Sequence, residues 1–122
     1  MKTVLVVDDS RIMRNIVKNY FSDLDMPCRY IEAIDGSEAL NQLYKFTVDL
    51  VLLDWNMPKL SGIDFLKRVR AMDKYRKLPI IMVTSEAAKY NVIEALKTGA
   101  TDYIIKPING KLFQEKLAKI FG

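Results

Sequence analysis

The sequence predicts an α/β fold, with a doubly wound sheet of five parallel strands and five helices on its two faces. Two short apolar runs, Val4–Val7 and Leu50–Leu53, each stop directly at an aspartate, as buried parallel strands do at a sheet edge. Segments with apolar residues at the 3.6-residue spacing of a helix lie between such runs. Strand and helix patterns alternate five times along the chain, which indicates β-α-β units with right-handed crossovers.

The first two units occupy the N-terminal part of the chain. A strand at about Thr3–Val7 precedes a helix at about Ser10–Leu24, and a weaker strand follows at about Cys28–Ala33. Residues Asp35–Glu38 resemble a capping box with its aspartate as the cap, and they predict a helix that ends near Lys45. The apolar stripe of the first helix is predicted at Ile12, Met13, Ile16, Val17, Tyr20, Phe21 and Leu24.

The third and fourth units contain the strands Leu50–Leu53 and Ile80–Thr84, each followed by a helix. Ser61–Asp64 is a second box-like helix start. The helix of the fourth unit is expected at about Glu86–Thr98, with Gly99 in the C′ position. The buried face of the third-unit helix is predicted at Phe65, Leu66, Val69 and Met72, and that of the fourth at Val92, Ile93 and Leu96.

The fifth unit is a strand at Tyr103–Ile105 and a helix at about Gly110–Ile120. The length of 122 residues fits one domain, which we expect to span residues 1–122. No apolar run approaches the roughly 18 residues of a membrane helix, and no secretory leader is visible. The single Cys28 is expected to pack as a small hydrophobe in a reducing cytoplasm.

Composition narrows the chemistry further. Histidine is absent, which excludes imidazole metal ligands, Ser-His-Asp catalysis and a phosphohistidine on this chain. A basic cluster at Lys67–Lys77 could attract an acidic or phosphate-bearing partner, although such charge runs usually serve as a solvated surface. No Gly-Lys-Ser/Thr phosphate loop is present, which argues against nucleotide binding.

Polar side chains follow four of the predicted strands, at the edge where ligands bind in open α/β sheets. Each has a simpler explanation: the acids and Thr84 could cap helices, and Asp54 could start a turn. Together, however, they predict a shared carboxylate cluster. Neighbouring acids repel one another unless a cation lies among them. The residues are Asp8, Asp9, Asp54, Thr84 and Lys106.

The oxygen ligands of this cluster suit Mg²⁺, which would keep the carboxylates ionised and leave one as a nucleophile. A carboxylate that attacks a phosphoryl group forms an acyl phosphate. Phosphoryl transfer mainly requires in-line positioning and charge neutralisation at the equatorial oxygens. An ammonium and a hydroxyl, such as those of Lys106 and Thr84, could supply part of that neutralisation.

These residues, at these spacings, resemble the receiver domain of response regulators over essentially the whole chain. The stretch Asp54–Pro58 is similar to that of the single-domain chemotaxis members of the family. The resemblance implies a flavodoxin-like strand order 2-1-3-4-5, with Asp54 as the phosphoacceptor. It also implies that the domain catalyses its own phosphorylation and dephosphorylation, and is not a conventional enzyme.

The resemblance implies further roles. Mg²⁺ would be held by Asp8, Asp9, Asp54 and the backbone carbonyl of Asn56. Thr84 would move toward the phosphoryl group, Tyr103 would be the switch aromatic, and the Lys106–Pro107 bond would be cis. Residues at the positions of Asn56 and Glu86 tune the acyl-phosphate lifetime. The chain departs from the family pattern at two positions, with Ser61 in place of the common Asp and Ser85 in place of the common Ala.

The expected function is a cytoplasmic signalling switch. A histidine kinase would supply the phosphoryl group, a phosphatase could remove it, and a protein effector such as the flagellar motor switch would bind the Glu86–Phe121 face. We expect a monomer without a DNA-binding output, without nucleic-acid ligands and without membrane binding. One alternative is a phosphorelay or phosphate-sink receiver without an effector. The other is a phosphatase of the haloacid dehalogenase type, although those enzymes carry Asp-x-Asp where Asp8 and Asp9 are adjacent here.

Overall fold

The computed structural model describes residues 1–24, 27–85 and 89–121, and these contain a five-stranded parallel sheet in the order β2-β1-β3-β4-β5. The strands are β1 (Lys2–Val7), β2 (Cys28–Ala33), β3 (Leu50–Leu53), β4 (Ile80–Thr84) and β5 (Asp102–Ile105). The helices are α1 (Arg11–Ser22), α2 (Gly36–Lys45), α3 (Gly62–Arg70), α4 (Lys89–Thr98) and α5 (Gly110–Phe121). The predicted fold class and strand order are therefore confirmed.

Helices cover both faces of the sheet, and each face has its own apolar core. On one face β1, β3 and β4 contribute residues that pack with α2, α3 and α4, around the fully buried Phe65 and Leu66. On the other face α1 and α5 meet through Phe21 and Phe113, whose ring centroids are 5.3 Å apart in an edge-to-face contact. Among the described residues, no helix has the length and apolar character needed to cross a membrane.

Side-chain caps define where three helices begin. Ser10 accepts a hydrogen bond from the amide of Met13, and Asp35 accepts one from Glu38. The Ser61 hydroxyl accepts from the amide of Asp64 at the start of α3. Both predicted box-like helix starts are confirmed. In each, a short polar side chain accepts a hydrogen bond from an amide that has no partner within its helix.

The predicted buried faces of two helices were too wide. Ile93 and Leu96 are exposed, and the fully buried residue of α4 is the small Ala95. A small residue lets the helix backbone approach the sheet, which leaves the larger side chains beside it in solvent. In α1, Ile12 is 73% exposed and Ile16 is 36% exposed, and the buried residues are Val17 and Phe21.

Candidate functional site

Register places the predicted acids together. Val7 of β1 pairs with Leu53 of β3, so the next residue of each strand, Asp8 and Asp54, lies at the same edge of the sheet. The Asp54 amide donates to the carbonyl of Val7 over 3.0 Å, which continues the pairing to the end of the strand. Oxygens of Asp8, Asp9 and Asp54 all lie within 4.8 Å of one another. The predicted carboxylate cluster is therefore present.

Lys106 follows the edge strand β5, and its side chain reaches the same cluster. Its Nζ atom lies 2.9 Å from Oδ2 of Asp8 and 3.6 Å from Oδ2 of Asp54. The peptide bond between Lys106 and Pro107 is cis, as the resemblance implied. The ammonium is thus in place to neutralise charge on the carboxylates or on a group bound beside them.

The environment of Asp54 makes ionisation harder. Asp54 is only 8% exposed, and burial raises the pKa of its carboxyl above the usual value. The negative charge of Asp8 raises this pKa further, while Lys106, a hydrogen bond with Thr84 and the Trp55 amide partly offset the rise. The Trp55 amide donates to Oδ1 of Asp54 over 2.8 Å. A further positive charge would favour the ionised form.

The cluster fits a hard divalent cation. Within the described chain, three carboxylates face the single ammonium of Lys106, so negative charge is in excess. The donors are oxygens, the ligands that Mg²⁺ prefers, and Asp9 is exposed, which leaves room for the waters that this ion retains. Asn56 lies in the exposed loop after Asp54, and the predicted role of its carbonyl stays a prediction.

This geometry agrees with what comparison with known proteins shows. The model of the response regulator receiver domain family matches residues 4–118. The chain belongs to this family.

Individual relatives of this receiver cover nearly the whole chain. It is 46% identical over 118 residues to chemotaxis protein CheY-3 of Vibrio cholerae, an alignment that covers 97% of this chain and 90% of the relative. It is 42% identical over 118 residues to chemotaxis protein CheY of Pseudomonas aeruginosa, with 97% and 94% covered. The solved structure of the chemotaxis response regulator CheY4 of Vibrio cholerae has a TM-score of 0.87 at 34% identity and covers 99% of both chains.

Arg14 stabilises the loop of the receiver that carries Asp8 and Asp9. Its Nη1 atom donates to the backbone carbonyl of Asp8 over 2.7 Å, and its Nε atom donates to Glu32 of β2 over 3.0 Å. The Arg14 side chain is only 12% exposed. It therefore ties the loop after β1 to the neighbouring strand. The sequence does not indicate this role of Arg14, because a hydrogen bond to a backbone carbonyl has no signature in the sequence.

The loop that follows Asp54 is held by two close backbone contacts. A Cβ atom at Gly62 would lie 2.0 Å from the carbonyl oxygen of Asp54, so this position accepts only glycine. A Cβ at Gly36 would lie 2.6 Å from the carbonyl oxygen of Leu60. In the same loop, Lys59 has a φ of 66°, in the left-handed region that is unfavourable for a lysine.

The two predicted switch residues lie on neighbouring strands behind the cluster. Thr84 ends β4 and is fully buried, and its hydrogen bond with Asp54 connects it directly to the acids. Tyr103 pairs with Met82 across β4 and β5 and is 7% exposed, with its side chain in the α2–α3–α4 core. Glu86, the second residue predicted to tune the lifetime, lies outside the described residues.

The basic cluster at residues 67–77 contains one half-buried arginine and five exposed basic side chains. Arg70 is half-buried, and its guanidinium donates to the carbonyls of Gly99 over 2.8 Å and Tyr75 over 2.6 Å. Its role is to join the end of α3 to the end of α4. The remaining basic residues of the cluster are exposed, and they are Lys67, Arg68, Lys74, Arg76 and Lys77.

Proposed function

We propose that this receiver is a phosphorylation-activated signalling switch, which accepts a phosphoryl group from a histidine kinase on Asp54 and then binds a protein target. The observation that carries the proposal is the meeting of three carboxylates, the Lys106 ammonium and the Thr84 hydroxyl at one sheet edge. A nucleophilic carboxylate with cationic and hydroxyl groups beside it is the arrangement that phosphoryl transfer requires.

Asp54 is the acceptor in this proposal. One of its carboxylate oxygens forms a bond to phosphorus, the P–N bond of the donor phosphohistidine breaks, and the electron pair remains on the imidazole nitrogen. Asp8, Asp9, Asp54 and the carbonyl of Asn56 would hold Mg²⁺. When bound, Mg²⁺ supplies neutralisation of the charge that builds on the phosphoryl oxygens. Lys106 and Thr84 donate to the remaining phosphoryl oxygens.

The added charge acts as the signal. A phosphoryl group on Asp54 offers new acceptors to Thr84 and Lys106, and both are already within the pocket. A shift of the population from 1:99 to 99:1 requires about 5.5 kcal/mol. One charge-assisted hydrogen bond contributes about 1.5–3 kcal/mol, so the two contacts have to act together. Movement of Thr84 would vacate space that Tyr103 can fill.

The target is proposed to bind the Glu86–Phe121 face, which includes α4, β5 and α5. This face exposes large apolar side chains, as partner surfaces often do. The described members are Tyr90, Ile93, Leu96, Ile105 and Leu112. Because the curated relatives carry the name of chemotaxis proteins, we propose a role in chemotaxis, with the flagellar motor switch as the effector. The proposal includes a single cytoplasmic domain that acts as a monomer.

The proposal is tested with a small phosphodonor such as acetyl phosphate and a measurement of intact mass. The wild-type chain should gain one phosphoryl group in the presence of Mg²⁺, and Asp54→Asn should gain none while it keeps its circular dichroism spectrum. Asp73→Asn is the matched control, because Asp73 is highly exposed and remote from the cluster. Labelling of Asp54→Asn equal to that of wild type would refute the assignment.

A second experiment separates the effector-binding switch from a phosphorelay receiver. Immobilised wild-type chain and Asp54→Ala are exposed to the candidate motor component with and without phosphodonor. An effector-binding switch should retain the component only as wild type and only with the donor. Equal retention in all arms would favour the relay or sink.

A further inference from the structure

Tyr20 joins two elements that border the acid cluster. It lies on α1, the helix that follows Asp8 and Asp9, and its hydroxyl donates to the backbone carbonyl of Ile108 over 3.0 Å. Ile108 comes two residues after Lys106, in the loop between β5 and α5. One side chain therefore connects the helix behind the acids to the loop that presents the ammonium.

The ring of Tyr20 packs against the same region. Its centroid lies 5.6 Å from that of Phe113 on α5. A Cβ atom added to Gly110, the first residue of α5, would lie 3.0 Å from Cε1 of Tyr20. The ring thus fixes the distance between α1 and the start of α5, while the hydroxyl fixes a single carbonyl in the loop before it.

The loop is anchored at both of its ends. The Lys106 amide donates to the carbonyl of Thr84 over 2.9 Å, and the Asn109 side chain accepts from the Leu112 amide at the start of α5. Pro107 and Ile108 lie between these anchors, and proline has no amide hydrogen with which to make a further bond. The bond from Tyr20 to Ile108 holds this middle segment.

We propose that Tyr20 is a positioning residue for phosphoryl transfer, because its hydroxyl fixes the β5–α5 loop so that Lys106 stays directed at Asp54. This inference rests on the proposed function. The Lys106 ammonium has to serve two carboxylates, at 2.9 and 3.6 Å, and a shift of the loop by a fraction of an ångström would favour one of them. Misplacement on that scale is enough to slow a transfer that depends on orientation.

The test compares Tyr20→Phe, which removes only the hydroxyl, with Tyr44→Phe. Tyr44 is exposed, and its hydroxyl lies 4.0 Å from the sulfur of Met72, so its loss should change nothing. The rate of Asp54 phosphorylation from acetyl phosphate is measured at saturating Mg²⁺. Tyr20→Phe should slow it roughly two- to tenfold, the effect of one lost hydrogen bond. An unchanged rate would overturn the inference.

A double-mutant cycle distinguishes positioning from general destabilisation. In a Lys106→Met background, with Lys106→Gln as a second background, Tyr20→Phe should have no further effect on the rate. Its effect on urea unfolding should persist there, since that effect does not depend on Lys106. If Tyr20→Phe slowed phosphorylation of the Lys106 variants as much as it slows that of the wild-type chain, Tyr20 would act without Lys106. If the wild-type chain takes no phosphoryl group on Asp54, the proposed function fails. That result is distinct from failure of the Tyr20 inference, in which the wild-type chain is phosphorylated and Tyr20→Phe has no effect.

Discussion

The ammonium of Lys106 binds the carboxylate of Asp8 over 2.9 Å, although 98 positions separate the two residues in the chain. The lysine thereby places a positive charge inside the cluster that is expected to hold Mg²⁺. A monovalent and a divalent cation that share the same carboxylates repel each other, and each weakens the binding of the other.

Replacement of Lys106 by methionine should therefore tighten Mg²⁺ binding, by roughly tenfold for like charges a few ångströms apart. Trp55 fluorescence is a suitable readout, because its amide is bonded to the Asp54 carboxylate. Lys111→Met, at an exposed position of α5, should leave the affinity unchanged. Weaker binding by Lys106→Met would show that the ammonium organises the acids and does not compete for them.

Asp54→Asn should stabilise the metal-free protein at neutral pH. The pKa of Asp54 is raised in the folded state, mainly by burial and then by Asp8, so its ionisation favours unfolding. The stabilising contribution of protonated Asp54 is present below the usual carboxyl pKa and is lost as the pH rises through the raised value. Urea unfolding in a chelator should show an advantage for Asp54→Asn that is largest near pH 7 and shrinks toward acid pH.

Addition of Mg²⁺ provides the control for that comparison. The ion should stabilise the wild-type chain more than Asp54→Asn, because the variant offers a neutral amide oxygen in place of a charged carboxylate. A wild-type chain that is more stable than Asp54→Asn in the chelator at neutral pH would contradict the assignment of an unfavourable charge at this site.

Lys59→Gly should stabilise the fold by about 1 kcal/mol, because glycine adopts the φ of 66° without the cost that a side chain carries there. The ion pair that Lys59 loses, 3.9 Å from Asp35, is weak because the lysine is exposed. Lys77→Gly, at an exposed position without a positive φ, should not stabilise. Thermal unfolding of both variants measures the difference, and a lower Tm for Lys59→Gly would contradict the prediction.

Arg14→Met should lower the free energy of unfolding by about 1–3 kcal/mol, because it removes one of the two cationic partners of Glu32 and the donor to the Asp8 carbonyl. It should also weaken Mg²⁺ binding, since the loop after β1 loses its anchor. Arg11→Met, at an exposed position on the same helix, serves as the control. Urea unfolding and Trp55 titration report the two effects separately, and unchanged Mg²⁺ affinity would limit Arg14 to a structural role.

Much of the fold follows from local patterns that a sequence shows directly. Apolar strands that stop at acids correctly located the acid cluster, and the polar caps Asp35 and Ser61 correctly located the starts of α2 and α3. The order of the strands came from resemblance, because the pattern of one strand does not identify its neighbours.

Periodicity was less reliable for deciding which side of a helix is buried. Ile93 and Leu96 fit the helical period as well as Ala95 does, yet only the alanine is fully enclosed, because the distance between helix and sheet decides which side chain fits. Arg14 and Tyr20 were not predicted to have special roles. Arg14 donates to the backbone carbonyl of Asp8, and Tyr20 donates to that of Ile108. Such contacts with backbone carbonyls depend on tertiary structure.

The contact at Gly62 restricts how this chain can change over generations. No substitution there is compatible with an Asp54 carbonyl at its present position, so the backbone at Asp54 and the glycine at the start of α3 have to be inherited together. The adjacent Ser61 has more freedom, because threonine, aspartate or asparagine can also cap a helix. Variation in this part of the chain is therefore easier at the cap position than at the glycine that follows it.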